Sequence, residues 1–235
     1  MKLIISIIIA VSILTTSCNF NSIKGSKKIV KKEFELSNFE NIEVESLFTI
    51  KVIQSDEFKV EVECNENIEK YVVVETEGDV LKLSLKGNNS FSNVKCIATV
   101  SMPNLNDIES SGATKINFID FTTERLNIEM SGASKINGNV TVDNLNIDVS
   151  GASKINLTGD VVNGKISTSG ASKMSGDDLI FQNLDIDCSG ASKIVAHVKN
   201  ALEVELSGAS KFDYYGDPNI VNQDISGVGK INQLN

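Results

Sequence analysis

The sequence predicts an all-β fold: a β-solenoid, or single-chain β-helix, of about seven coils of about 19 residues, preceded by irregular N-terminal β-coils or a small β-sheet cap. Three observations predict it. The phrase Ser-Gly-Ala-Ser-Lys starts at Ser111 (with Thr114 fourth), Ser131, Ser150, Ser169, Ser189 and Ser207, and returns as Ser-Gly-Val-Gly-Lys at Ser226. Its glycines, Gly112, Gly132, Gly151, Gly170, Gly190, Gly208 and Gly227, are spaced by 20, 19, 19, 20, 18 and 19 residues; a period held at that length marks a repeat architecture. Composition agrees, because 2 Pro and no Trp stand against 16 Gly, with Ile, Val, Asn and Ser plentiful, as suits strands joined by tight turns. Past the first residues no apolar stripe of helical period occurs, whereas period-two alternation is widespread.

In chain order, residues 1–17 read as a signal peptide. Lys2, the apolar run Leu3 to Leu14 and the small residues Thr15-Thr16-Ser17 precede Cys18, a pattern too short for a permanent membrane-spanning helix. A cysteine directly after the small residues resembles a bacterial lipoprotein signal, which implies acylation of Cys18 and a membrane partner reached through that lipid. Several acyl chains on one residue anchor stably, at about 0.8 kcal/mol per buried methylene. Sorting rules for such lipoproteins imply the outer membrane, facing the periplasm rather than the cell surface, because Asn19 is not Asp and no acidic cluster follows Cys18. Residues 18–32 are polar and basic and read as a tether.

Residues 33–105 form an N-terminal β region. Ile42 and Val44, then Phe48, Ile50 and Val52, then Phe58, Val60, Val62 and Cys64 alternate with polar neighbours, as half-buried strands do. Glu77-Gly78-Asp79 between apolar runs signals a hairpin. Val94, Cys96, Ala98, Val100 and Met102 make a further strand. A cap is physically required, since an open solenoid end exposes strand edges. Cys64 and Cys96 could pair in an oxidising compartment, but buried free thiols read more simply, and Cys188 falls at a core position.

Residues 106–235 are the repeat. Counted from each glycine, positions six, four and two before and four after are apolar almost throughout, for example Leu145, Ile147, Val149 and Ile155 around Gly151. They form an inward face, and small residues let the backbone turn at Ser-Gly-Ala. Three residues before each glycine stand Glu109, Glu129, Asp148, Ser167, Asp187, Glu205 and Asp224; three after stand Lys115, Lys135, Lys154, Lys173, Lys193, Lys211 and Lys230. Stacked at about 4.8 Å per coil, these make a carboxylate ladder and a lysine ladder. The lysines are the candidate binding residues, suited to an anionic glycan, although solubility alone would also account for them. Five residues after the glycine, Asn117, Asn137 and Asn156 suit either a hydrogen-bonded ladder or a left-handed backbone at a turn. Tyr214-Tyr215-Gly216-Asp217-Pro218 reads as a loop or C-terminal cap.

The formal net charge of -9 argues against nucleic acid as partner. With His197 the only histidine, neither a His-based catalytic dyad nor a polyhistidine metal site is supported. Glycine-rich phosphate loops and calcium nonapeptides are absent as well. The sequence therefore predicts a non-enzyme without cofactors.

The lipoprotein signal, Phe39-Glu40-Asn41-Ile42, the run of Ser-Gly-Ala-Ser-Lys phrases and the closing Ser-Gly-Val-Gly-Lys-Ile together resemble the head GIN domain family of putative auto-transporter adhesins. That resemblance implies a β-solenoid in the cell envelope and brings no catalytic residues. The expected function is a lipid-anchored binding or adhesion module. The alternatives are a structural envelope protein that self-associates or contacts another envelope protein, and, least supported, a glycan-active enzyme.

Overall fold

Alternating burial along nearly every segment turns the chain into strands. The computed structural model describes residues 22–87 and 89–235; the signal segment and Cys18 lie outside them. Among the described residues there is one short 3-10 turn, Glu69–Tyr71, and no α-helix. The N-terminal region holds β1 (Ile23–Lys24), β2 (Ile29–Phe34), β3 (Asn41–Val44), β4 (Phe48–Gln54), β5 (Lys59–Asn65), β6 (Val72–Glu77), β7 (Val80–Leu85), β8 (Phe91–Ser92) and β9 (Cys96–Met102). The repeat follows as β10 (Asp107–Ser110), β11 (Lys115–Gly132), β12 (Lys135–Gly151), β13 (Lys154–Gly170), β14 (Lys173–Gly190), β15 (Lys193–Leu206), β16 (Lys211–Tyr215), β17 (Asn219–Ile225) and β18 (Lys230–Gln233).

The strands β11 to β15 each run from one Ser-Gly-Ala corner to the next and pair in parallel with the following coil, with lysine on lysine and apolar residue on apolar residue, as in Ile116 on Ile136 and Ile155 on Met174. In β12, Ile136, Val140, Val142, Leu145, Ile147 and Val149 are buried, while Asp143 and Asn144 are exposed in succession, as are Ser150 to Ala152. Each run of successive outward residues is a corner, so the interior is a narrow apolar column fed by the coils up to β16, whereas β17 is exposed along its whole length. Cys188 fills the slot held by Val149 and Leu206 in other coils, and is 1% exposed.

The N-terminal region is both things the sequence left open, coil and cap. β3 and β4 form a full rung beneath the repeat, since Ile42 pairs with Ile108 and Ile50 with Ile116. Ser46, at φ 72, stands where the repeat places its glycine. The chain then passes below this rung: β7 pairs with β3 and β9 with β4, both in parallel. Antiparallel partners close the bottom, with β6 on β7, β5 on β9 and β2 on β5.

The folded part begins earlier than the tether reading expects. Ile29–Phe34 is an edge strand, and Lys31 reaches Glu61 at 2.7 Å. Lysine-rich composition concealed it, although lysine is a common guard of exposed edges. Asn65, 5% exposed, fastens the preceding segment: its Nδ2 donates to Ser26 O at 2.6 Å, and its Oδ1 accepts from Lys95 N at 2.6 Å. The Tyr214 segment also differs from expectation, because Lys211–Tyr215 is a rung in which Tyr214 is buried against Phe212.

Candidate binding faces of the solenoid

The corner positions everything on the two faces beside it. Gly132, Gly151, Gly190 and Gly208 have φ between 71 and 117, a left-handed conformation that costs a residue with a Cβ. Close approach adds a second requirement, since a Cβ on Gly151 would lie 2.4 Å from Gly132 O. The corner backbone is nonetheless fully engaged: Ala152 N donates to Gly132 O at 2.8 Å and Lys154 N to Ser134 O at 2.9 Å.

The fourth residue of the phrase turns inward. Thr114, Ser134, Ser153, Ser172, Ser192 and Ser210 are buried. Each serine hydroxyl clips its own coil to the one before. Ser172 Oγ donates to Gly151 O at 3.3 Å and accepts from Ser153 N at 3.4 Å. Small side chains at a corner are all that the sequence requires of these serines; their recurrence beside an apolar column is the signal that they form an interior polar ladder.

Past the corner the lysines stack in register: Lys115 on Lys135, then Lys154, Lys173, Lys193, Lys211 and Lys230. Among the described residues, Lys211 forms an ion pair, with Asp213 at 2.7 Å, and no carboxylate lies within ion-pairing distance of the other six. Ammonium groups held at the strand spacing of about 4.8 Å would repel by about 0.9 kcal/mol per pair in water before screening, a repulsion that side chains splaying apart reduces. Two residues on, Asn137 Nδ2 donates to Asn117 Oδ1 at 3.0 Å and Asn156 Nδ2 to Asn137 Oδ1 at 2.8 Å. Of the two roles the sequence leaves open for these residues, the ladder is the one that forms, and it holds the lysine strand in register. A second such ladder runs through Asn144, Asn163 and Asn183 at another corner, too far from the Ser-Gly-Ala phrase for that phrase to mark it.

On the other side of the corner the carboxylates stack equally well. Glu43 pairs in register with Glu109, followed by Glu129, Asp148, Ser167, Asp187, Glu205 and Asp224. No ladder lysine reaches a ladder carboxylate. The corner thus separates a basic face from an acidic one. Among the described residues no group of three or more His, Cys, Asp or Glu side chains is arranged to hold a metal ion.

The family model described as "Putative auto-transporter adhesin, head GIN domain" matches residues 38–218. The fold is similar to that of a putative adhesin from Bacteroides fragilis, with TM-score 0.84 and 22% identity over 91% of this chain and 100% of that one. It is also similar to a putative adhesin from Parabacteroides distasonis, with TM-score 0.71 and 20% identity over 91% and 100% of the two chains. A putative lipid binding protein from the same species shares it at TM-score 0.68, with 20% identity and the same coverage. No curated protein matches.

Proposed function

Because this chain belongs to the family of the putative auto-transporter adhesin, head GIN domain, we propose that it is a non-catalytic adhesion module of the cell envelope whose lysine face binds an anionic polymer such as an acidic glycan. The observation that carries this reading is the in-register column of seven lysines, six of them free of carboxylate partners among the described residues. A linear polyanion has charges at a regular spacing, and a rigid column meets it without ordering a flexible surface first. In this reading residues 1–17 are removed, Cys18 carries the lipid that holds the protein on the outer membrane facing the periplasm, and the solenoid presents its basic side to the envelope polymer.

The test measures binding of an acidic polysaccharide such as polygalacturonate against a variant with Lys135, Lys154 and Lys173 replaced by Gln. We expect a loss of about tenfold or more, and affinity that falls steeply with salt. Unchanged binding by the variant overturns the assignment. For the anchor, Cys18→Ser should move the protein to the soluble fraction, and retention on membranes counts against lipidation. Surface protease digestion of whole cells separates the two leaflet orientations.

A specific observation favours a second reading, self-association: the acidic column lies one corner from the basic one and repeats with the same spacing. Two copies could therefore pair face to face, and the contact is heterologous and open-ended. Sedimentation without any glycan distinguishes this case, since salt-sensitive assembly would appear in the protein alone.

A further inference from the structure

We infer that Cys64 and Cys96 form an intramolecular disulfide that staples the antiparallel cap to the first parallel rung. The two residues stand directly opposite each other where β5 pairs with β9. Which kind of opposition this is follows from their neighbours. Asn65 N donates to Lys95 O at 3.2 Å, which makes residues 65 and 95 the hydrogen-bonded pair. Alternation along an antiparallel ladder then makes 64 and 96 a non-hydrogen-bonded pair, the type whose Cα atoms approach to about 4.5 Å with side chains close. That spacing lies within the range a disulfide spans. Both side chains point into the core, each 2% exposed.

The third free thiol provides an internal contrast. Cys188 is buried among apolar residues of β14, two coils or more from the cap, and pairs in register with Thr168 and Leu206. It fills space, and among the described residues no second cysteine stands opposite it in the ladder. Cys64 and Cys96 fill space and face one another.

Formation removes two protons and two electrons from the thiols. One thiolate attacks the disulfide of an envelope thiol oxidoreductase, giving a mixed disulfide; the second thiolate displaces the oxidoreductase, which leaves with both of its thiols reduced. Burial pushes the Cys96 thiol up to about 12 and raises Cys64 as well, so the folded thiols exchange slowly. The bond therefore forms while the exported chain is still folding, before β2 covers β5. Once closed, it constrains the excursion from Asn65 to Lys95, which carries β6, β7 and β8, and long closed loops gain most from a cross-link.

The in-cell part of this inference rests on the envelope location proposed above, and the experiment separates the two. The full chain is isolated from cells under acid quench, denatured with iodoacetamide, and digested without reduction. We expect a linked peptide pair spanning Cys64 and Cys96 with Cys188 alkylated. In parallel, reduced and denatured full chain is refolded with a reduced and oxidised glutathione pair. Linkage on refolding but not in cells supports the pairing and removes the envelope reading. Alkylation of both Cys64 and Cys96 in both arms overturns the inference. The Cys64→Ala, Cys96→Ala double variant supplies a stability check: dithiothreitol should lower the melting temperature of the oxidised protein by about 5–10 °C and leave the variant unmoved.

Discussion

The ring of Phe118 occupies the space in which a side chain on Gly138 would sit: a Cβ there would lie 2.2 Å from Phe118 Cδ2. Phe118 and Gly138 pair in register on adjacent coils, so a large residue in one rung is matched by an empty position in the next. Gly164 also makes room for a ring, that of Phe181 on the next coil, although here the two are offset in register: Gly164 pairs with Leu184, and a Cβ on it would lie 2.3 Å from Phe181 Cε1. Gly138→Ala should therefore destabilise by about 1–3 kcal/mol through overpacking, and Phe118→Leu should recover part of that loss. A double-mutant cycle in urea measures the coupling; additive effects would show that the two positions do not share space.

A corner glycine meets a different obstacle. Gly151 has φ 117, and its Cβ would approach Gly132 O to 2.4 Å. Neither the conformation nor the backbone neighbour can give way easily. Gly151→Val should lower stability by at least about 1–3 kcal/mol, and a melting temperature equal to that of the parent protein would contradict this account of the corner.

Replacing an interior hydroxyl tests the serine clips. In Ser172→Ala, Gly151 O loses a donor and Ser153 N an acceptor. The long distances, 3.3 and 3.4 Å, place the expected cost near the lower end of a net hydrogen bond, about 0.5–1 kcal/mol. Chemical denaturation of Ser172→Ala and Ser172→Thr should rank Thr above Ala, as the clip at Thr114 retains a hydroxyl.

Acid should weaken the C-terminal coils through Asp213. Its burial alone would raise the carboxyl pKa, but hydrogen bonds from Asn232 and Lys211, with the Lys211 charge, outweigh that and hold it below the usual 3.8. A carboxylate with a depressed folded pKa stabilises above its unfolded value and loses that contribution as pH falls through the folded one. Between about pH 4 and lower values, the parent protein should therefore lose more stability than Asp213→Asn, by about 1 kcal/mol at most because Lys211 is partly exposed. Equal acid profiles would remove Asp213 from the explanation.

The repeat was legible because each of its requirements is local. Glycine at a left-handed corner, lysine and carboxylate on outward positions, and apolar residues on inward ones all recur within a few residues of each other. The Lys115 and Asn117 columns follow directly from that recurrence. What stayed hidden depends on residues far apart in sequence. The rung of β3 and β4 uses Ser46, Leu47, Phe48 and Thr49 where the repeat has Gly, Ala, Ser and Lys, so no phrase marks it. The excursion that places β7 and β9 beneath it is a matter of chain path, which alternation does not encode. Gly164 stands in register with Leu145 and Leu184, and the space its missing side chain leaves is taken by Phe181 of the next coil, a relation that no local pattern encodes.

The clamp at Asn65 determines how a pull on the N-terminal segment would spread through the molecule. Tension entering at residue 22 meets β1 and the Ser26 contacts first, then reaches Ile29, the end of β2 that pairs with Asn65. Edge pairs would give way one after another there, like a zip. The rungs above carry their bonds side by side and would share the remaining force.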